Sequence, residues 1–490
     1  MQRFKKQMIV KLGGDKTMKR NLFLAIAVTA LMVASTIAQA ADVSFSGQIR
    51  PRFNIDSDAS AATSPSEFFD TRVRLNAKAN VNANTEVFLQ LQSVGIWGSD
   101  GGGRTHNGTR FSLGGGGEQA NDNLSDVGFH QAYLTLKNFA GMGVDAKVGR
   151  QEVVIDGHRL FGHTGWTQGA QSSDAIRLNH AAGNHSVNLT YIQGEEADGI
   201  ANSNSGDEDV YILYANTQGI LGGALSGIFT ITNDGNTNDG GADDSQWYTI
   251  GARQKGKVAG LDYRVEFYHQ FGDAGNIANT CACGITGAVA GQGDIIDRDA
   301  QMFGIRVGKT FANKLGVTLW YDMLTGVNDD DAASGDFGQF DTMYDTGHKF
   351  YGFQDFYLNR AGAGTGYYGM QDFAIKVKMP VKAGWTAKAD MHWFRTETDL
   401  TGGDSDTVRA ADATVVNDNA LDNDLGSELD LTLVHKYDAN TTIAAGYSHY
   451  WTTTTFGELN GAGTANASHQ SNDGSDWMYV QIDTKPDRKS

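Results

Sequence analysis

The sequence predicts a transmembrane antiparallel β-barrel of about 18 strands. Apolar and polar residues alternate with a period of two in many segments of about 10–13 residues. Globular strands average about half that length, whereas a tilted membrane strand needs about 9–11 residues. Short turns alternate with long connections rich in Gly, Asp and Asn. Short turns at one end and long loops at the other are the layout of outer-membrane barrels.

The N-terminus predicts a secretory signal peptide over residues 18–40. Met18-Lys19-Arg20 is a basic head, residues 22–37 are apolar, and Ala38-Gln39-Ala40 has the form that signal peptidase cleaves. The alternative, a single-helix membrane anchor, fits poorly because the apolar run is short and ends in a cleavage site. Residues 1–17 are interpreted as an upstream extension, residues 41–483 as the barrel, and residues 484–490 as a polar tail.

Composition supports a barrel in a Gram-negative outer membrane and excludes other classes. Glycine is common (62) and proline rare (4), and mean hydropathy is negative. A barrel strand shows only one face to lipid, so low hydropathy is compatible with a membrane protein. The formal net charge of −18 argues against nucleic acid as a partner. Cys281 and Cys283 form a Cys-x-Cys loop whose pairing stays open, since such a ring is small and strained.

The alternation starts directly after the signal peptide. Over residues 44–54 one face is polar, with Arg50 and Arg52, and the other is apolar, with Phe45 and Ile49. The same pattern gives eighteen candidate strands near residues 43–54, 69–81, 85–97, 126–138, 143–153, 172–181, 185–194, 208–217, 222–233, 245–256, 261–271, 299–310, 314–325, 369–379, 384–397, 425–437, 441–453 and 474–483. A soluble β-sandwich or propeller would also alternate, but it would not explain the strict alternation of short and long connections. The polar tail leaves the exact end of the last strand open.

The more polar face of each strand is assigned to the lumen. Fourteen predicted inward cations are Arg50, Arg52, Arg72, Arg74, Lys78, Lys137, Lys147, Arg177, Arg264, Arg306, Lys376, Lys378, Lys388 and Lys436. Nine predicted inward acids are Glu86, Asp145, Asp262, Glu266, Asp322, Asp372, Asp390, Glu428 and Asp430. The lumen is thus expected to be rich in cations although acids dominate the chain, and Arg and Lys rings favour anions. The alternative is that many of these cations only pair with inward acids.

Two motifs indicate segments that fold into the barrel. Residues 148–178 contain Gly149-Arg150-Gln151-Glu152, then Arg159-Leu160 and Trp166, and residues 340–355 read FDTMYDTGHKFYGFQD. Both resemble motifs of the alginate export family of outer-membrane barrels. The resemblance implies that the first motif runs from a strand end into a segment inside the pore and that the second is a long inward loop.

The resemblance implies that Arg150 and Arg159 are candidates for a constriction that an acidic polysaccharide passes. Guanidinium groups bind carboxylates bidentately, which suits such a cargo. Arg150 and Glu152 break the apolar pattern of the strand, which predicts a bulge or a strand end, and Asp174 is expected to brace the arginines. His348 and Lys349 are weaker candidates. A salt-bridge cluster without contact to cargo is the competing interpretation.

The sequence therefore predicts a passive, anion-selective channel and not an enzyme, because His158 and His163 have no Asp or Ser partner at a spacing that suggests a nucleophile. The expected partners are outer-membrane lipid and lipopolysaccharide, an anionic polysaccharide or organic anion, and periplasmic export proteins, with the barrel a monomer. No cofactor is expected, although acidic outer loops could bind calcium loosely. The alternatives are a barrel that sheathes a periplasmic partner such as a multihaem cytochrome, and an enzyme barrel.

Overall fold

The computed structural model describes residues 42–57, 66–97, 127–195, 208–234, 245–274, 297–328, 331, 336–357, 368–400, 422–460 and 474–486. The predicted signal peptide and the loop with Cys281 and Cys283 lie outside these residues.

Eighteen long strands form one closed antiparallel barrel, as predicted. They are β1 (Asp42–Ser57), β2 (Ser66–Asn82), β3 (Thr85–Ile96), β4 (Gly128–Leu136), β5 (Val144–Gln151), β6 (Ser173–Ala182), β7 (His185–Glu195), β8 (Glu208–Ile220), β9 (Gly223–Asp234), β10 (Ser245–Val258), β11 (Leu261–Asp273), β12 (Asp297–Thr310), β13 (Gly316–Leu324), β14 (Met370–Lys382), β15 (Trp385–Arg395), β16 (Asp424–Lys436), β17 (Thr441–Thr452) and β18 (Ser475–Thr484). Each of the eighteen predicted segments coincides with one of them.

Closure occurs between the first and the last strand. Strand β1 pairs with β2 on one side, with Arg50 opposite Arg72, and with β18 on the other, with Arg52 opposite Gln481. Every other strand pairs with its two neighbours in chain order, apart from local register shifts. Full closure leaves no unpaired strand edge, which a membrane requires because lipid cannot satisfy backbone hydrogen bonds.

The outer face of the wall is apolar, because alternate residues of each strand point away from the lumen. Phe45, Ile49, Val73 and Leu75 are exposed on β1 and β2, and Leu213 on β8. The residues between them are polar and buried inside the barrel. Apolar residues outside and polar residues inside are the reverse of the arrangement in soluble proteins, and they are typical of strands that contact lipid. In the described part of the chain, no helix has the length and apolarity needed to cross a membrane.

The lumen contains additional elements that come from the long connections. A two-residue strand, Asp336–Phe337, pairs in parallel with the start of β12, and a short 3-10 helix spans Gly347–Lys349. Helix α1 (Thr454–Asn460) packs Phe456 against the buried Tyr450. The main apolar core therefore lies inside the barrel, between these elements and the wall.

Candidate functional site

Two chain segments occupy the lumen and together form what we call the plug, residues 152–172 and 336–357. They join through a parallel bridge between Phe161 and Tyr344. The Tyr344 N–H donates to the Leu160 carbonyl over 2.9 Å, and the Gly162 N–H donates to the Tyr344 carbonyl over 2.8 Å. The two sequence motifs thus fold inside the barrel, and they do so as one unit.

An aromatic stack fixes the plug to the wall between β1 and β18. The Trp166 ring lies parallel to the His348 ring at 4.4 Å, and His348 in turn stacks on Phe353 at 5.0 Å. The Arg52 guanidinium lies 4.6 Å from the centroid of the Trp166 ring. His348 also bonds Asp355 at 2.9 Å. His348, a predicted passage residue, therefore serves to hold the plug together.

On one side of the plug, four arginines form ion pairs with two acids, and we call these six residues the arginine–carboxylate cluster. Its members are Arg159, Arg253, Arg264, Arg306, Glu266 and Asp322. Arg159, only 1% exposed, contacts Asp322 at 2.5 Å and Glu266 at 3.1 Å and donates to Tyr351 over 2.6 Å. Burial alone would lower the pKa of Arg159, but Asp322, Tyr351 and Glu266 raise it well above its usual value.

The other arginines of the cluster surround the same two acids. Arg264 lies 3.2 Å from Glu266, and Arg306 lies 3.4 Å from Asp322 and over the ring of Trp320. Arg253 bridges Glu266 at 3.5 Å and Asp156 at 3.2 Å. The salt-bridge interpretation therefore describes Arg159 and its neighbours: they anchor the plug to β10–β13.

Arg50 and Arg72, opposite each other on β1 and β2, are held differently. Arg50 donates to the carbonyls of Gly165 (2.7 Å), Trp166 (2.9 Å) and Thr167 (2.8 Å). Arg72 donates to the Thr167 carbonyl over 3.1 Å and to Gln48 over 3.0 Å. Within the described part of the chain, neither arginine has a carboxylate within 4.0 Å. Carbonyl oxygens accept these hydrogen bonds but carry no net charge, so the two positive charges remain; the Nε of Arg72 is buried without a hydrogen-bond partner.

The remaining cations of β1 and β2 have acidic partners. Arg52 lies 3.7 Å from Asp70, Arg74 lies 3.6 Å from Glu152, and Lys78 lies 2.7 Å from Glu86. Their net contribution to the lumen is therefore smaller than that of Arg50 and Arg72.

A cavity of about 460 Å³ lies between β1–β3 and the plug. Its charged and titratable lining residues are Arg50, Arg72, Arg74, Lys349, Lys485, Glu152, Asp483, His158 and His163. The Lys349 ammonium donates a hydrogen bond to the Gly157 carbonyl over 3.0 Å. Five of these lining residues are Arg or Lys and two are acidic, which makes this cavity the candidate passage.

Two histidines in the cavity wall are neutral at physiological pH. His158 and His163 lie with their Nδ1 atoms 3.3 Å apart. Burial, helped by the ammonium of Lys349, lowers the pKa of His158 to about 4, and burial also lowers the pKa of His163. The positive charge of the cavity at neutral pH therefore comes from Arg and Lys.

A second cavity, of about 470 Å³, lies against β5–β8. It is lined by Arg177, Asp145, Asp156 and the plug residues Val154 and Ile155. The Nε atom of Arg177 is buried without a hydrogen-bond partner. Both cavities reach toward the end of the barrel that carries the short turns.

The wall at β14–β16 carries buried acids. Glu428 on β16 accepts hydrogen bonds from the N–H groups of Phe353 (2.6 Å) and Gln354 (2.9 Å) in the plug. On β14 and β15, Lys376 contacts Asp390 at 3.0 Å, so this predicted pore-lining cation is compensated. Lys378, two residues further on, has no acidic partner within 4.0 Å in the described ranges.

Arg150 and Asp174 pair as predicted, at 2.5 Å, but on the outside of the barrel. Strand β5 runs to Gln151 with no register shift, so Arg150 stays on the face of the exposed Val148. Asp174 shares the face of Ile176, and its side chain is 52% exposed. The inward placement inferred for Arg150 is therefore wrong, because the strand ends one residue later without a bulge. Only Glu152, beyond the strand end, turns into the lumen.

Sequence reasoning also missed some lumen residues. Arg253 was not recognised, although it alternates on β10 with the outward Ile250 and Ala252 and could have been found that way. Asp156 lies in the plug, where no periodicity applies. Lys137, expected inside, follows the end of β4 and is exposed at the turn. Among the described residues, no group of three or more His, Cys, Asp or Glu could hold a metal.

Comparisons with known proteins agree with this architecture. Residues 41–470 match the family model described as alginate export. The fold is similar to crystal structures of OccAB1 from Acinetobacter baumannii (12% identity, TM-score 0.53, covering 91% of this chain and 96% of that one) and OccK8 (OprE) from Pseudomonas aeruginosa (10% identity, TM-score 0.51, covering 91% and 98%). No curated protein sequence matches the chain.

Proposed function

The chain belongs to the alginate export family and is an outer-membrane channel, and we propose that this channel is anion-selective, with an electropositive passage along β1–β3. The proposed cargo is an anionic polysaccharide or a smaller organic anion. Transport is passive: the cargo moves between successive Arg and Lys positions, and no step at the barrel consumes energy.

The observation that carries the proposal is the way Arg50 and Arg72 are bound. Their hydrogen bonds end on plug carbonyls, so the plug orients two guanidinium groups beside the cavity without neutralising them. A narrow passage with low-dielectric walls strengthens the field of such charges and concentrates counter-ions. Asp70 and Glu152 form their ion pairs with the neighbouring Arg52 and Arg74 and lie beyond 4.0 Å from Arg50 and Arg72.

A sheath around a periplasmic partner is the less favoured function. A sheath needs an open lumen, whereas Arg159, Phe161 and Phe350 of the plug are buried in this one. The family points to a channel rather than to an enzyme. The proposed channel is a monomer that contacts lipid and lipopolysaccharide through its apolar outer face and receives cargo from periplasmic export proteins.

The test is the reversal potential of the purified protein in a planar bilayer under a KCl gradient, with and without polyuronate. We expect the potential to have the sign of chloride preference and the polyuronate to block the current. A potential with the sign of potassium preference, or one of zero, would contradict the proposal.

A further inference from the structure

We infer that Glu428 and Asp430, which share the lumen face of β16, bind one proton between them, and that this proton keeps the plug seated against the wall. The plug then loosens from β16 when alkaline conditions remove the proton. We call the two residues the paired acids. The inference does not depend on anion selectivity, because it concerns how the plug is held and not what passes beside it.

The paired acids are almost completely removed from solvent, and each has one carboxyl oxygen without a partner. Glu428 is 0% exposed and Asp430 is 1% exposed. Among the described residues, Oε2 of Glu428 and Oδ2 of Asp430 have no hydrogen-bond partner. The two side chains nevertheless lie within hydrogen-bonding reach of each other. Two acceptor oxygens can bond only when a proton lies between them, so the geometry has a place for one proton.

The remaining oxygens of the paired acids are bonded to groups of the plug and the wall. Oε1 of Glu428 accepts from the N–H groups of Phe353 over 2.6 Å and Gln354 over 2.9 Å. Oδ1 of Asp430 accepts from the Ser448 hydroxyl over 2.5 Å. These bonds fix both carboxyl groups. Because a buried polar atom without a partner is costly, a proton that joins the two remaining oxygens stabilises the arrangement.

No side chain in the described part of the chain supplies a positive charge to the paired acids. The one basic group within 4.0 Å is His392 on β15, at 4.0 Å from Asp430 Oδ2. Its Nε2 lies 3.0 Å from the Lys376 ammonium, and its Nδ1 lies 2.9 Å from Asp372. An ammonium only donates, so Nε2 accepts, Nδ1 donates and the ring is neutral. Lys376 itself is paired with Asp390 at 3.0 Å.

The other titratable and charged groups around the paired acids leave this balance unchanged. They are Tyr357 and the His348–Asp355 pair of the plug, Asp424 of β16, Tyr450 of β17, Tyr479 of β18 and Arg52 of β1. The hydroxyls of Tyr357 and Tyr450 bond each other at 2.6 Å, and Tyr450 donates to the Leu425 carbonyl. Arg52 is paired with Asp70 at 3.7 Å. Two buried carboxylates without a cation repel each other, and one bound proton removes this repulsion.

The plug packs directly against the paired acids, so a change in their charge reaches the plug. An added Cβ at Gly352 would lie 2.2 Å from Glu428 Oε2, which leaves Glu428 little room to turn away from Asp430. Without the proton, Glu428 separates from Asp430 only by displacing Gly352 and the two N–H groups that follow it. Because the seated state binds the proton, the anchor is complete at neutral pH and is lost as the pH rises.

The first test is the infrared difference spectrum of the purified protein in detergent between about pH 7 and about pH 9.5, below the ordinary pKa values of Tyr and Lys. We expect the wild type to lose an absorption band of a protonated carboxyl group. Glu428→Gln and Asp430→Asn should both lack this change, because an amide N–H then replaces the proton as the donor. Asp476→Asn is the control and should keep the change, since Asp476 is 52% exposed on β18.

The second test is the current noise of single channels in planar bilayers over the same pH range. The noise of the wild type and of Asp476→Asn should rise about twofold as the plug loosens. Both amide variants should keep their neutral-pH noise throughout. A wild-type spectrum without the band, or an amide variant whose noise rises like that of the wild type, would overturn the shared proton. Loss of chloride preference at neutral pH would instead contradict the proposed function and leave this inference standing.

Discussion

Two groups of arginines in the same lumen are held by different partners. In the arginine–carboxylate cluster, Glu266 and Asp322 contact the guanidinium groups at 2.5–3.9 Å. On β1 and β2, Arg50 and Arg72 are bound by plug carbonyls and amide side chains. Both arrangements fix the plug, but only in the second do the guanidinium groups have no carboxylate within 4.0 Å among the described residues. The number of lumen arginines is therefore a poor measure of the lumen field, and the type of partner decides it.

The largest expected effect comes from removing an acid of the arginine–carboxylate cluster. Asp322→Asn leaves Arg159 and Arg306 buried with too little negative charge, and breaking a buried ion pair costs about 3–5 kcal/mol. We expect this loss in the free energy of unfolding, measured with urea in detergent micelles. Asp476→Asn is the control, because Asp476 is 52% exposed. Equal stability of the two variants would show that the cluster does not anchor the plug.

The next effect tests Glu428, the carboxylate on β16 that accepts hydrogen bonds from the plug. Gly352 has φ +83°, and an added Cβ would lie 2.2 Å from Glu428 Oε2. Gly352→Ala should cost at least about 1–2 kcal/mol for the left-handed conformation alone. We expect the plug to shift and single-channel conductance to become larger and less uniform.

Gly169→Ala is the matched control for this change, since a Cβ at Gly169 meets no atom within 4 Å and the backbone there is not left-handed. Its conductance should match that of the wild type. A Gly352→Ala channel with the same conductance would mean that Glu428 does not position the plug.

A smaller effect is expected from acidification. The pKa of His158 is about 4 in the folded protein, against about 6.5 in an unfolded chain. Because the folded value is lowered, the stabilisation by neutral His158 is complete above about pH 6.5 and is lost as the pH falls toward 4. We expect the channel to become noisier between pH 6.5 and 4 in bilayer recordings.

His158→Asn should remove much of this pH dependence. His158 has φ +68°, a conformation that Asn tolerates. Noise that rises equally in the variant would assign the pH effect to other groups.

The smallest effect is expected at Arg150. An exposed ion pair such as Arg150–Asp174 contributes about 0–1 kcal/mol. Arg150→Gln should leave both the urea midpoint and the reversal potential almost unchanged. A large change in selectivity would place Arg150 in the passage after all.

The sequence predicted the wall better than the plug, and the reason is physical. A barrel strand repeats every two residues, so Phe45 and Arg50 are assigned to opposite faces without further information. The plug has no period, and its contacts join residues far apart in the chain, such as Arg159 with Asp322. Which cations are compensated could therefore not be predicted. The predicted inward placement of Arg150 was wrong for a more local reason, because strand β5 continues one residue beyond it, to Gln151.

The central claim is that Arg50 and Arg72 keep their charge and so produce anion selectivity. The most direct test is the reversal potential under a KCl gradient of the double variant Arg50→Gln, Arg72→Gln, beside Arg150→Gln. The account predicts that the double variant loses more than half of the chloride preference while Arg150→Gln keeps all of it. An unchanged reversal potential in the double variant would contradict the account.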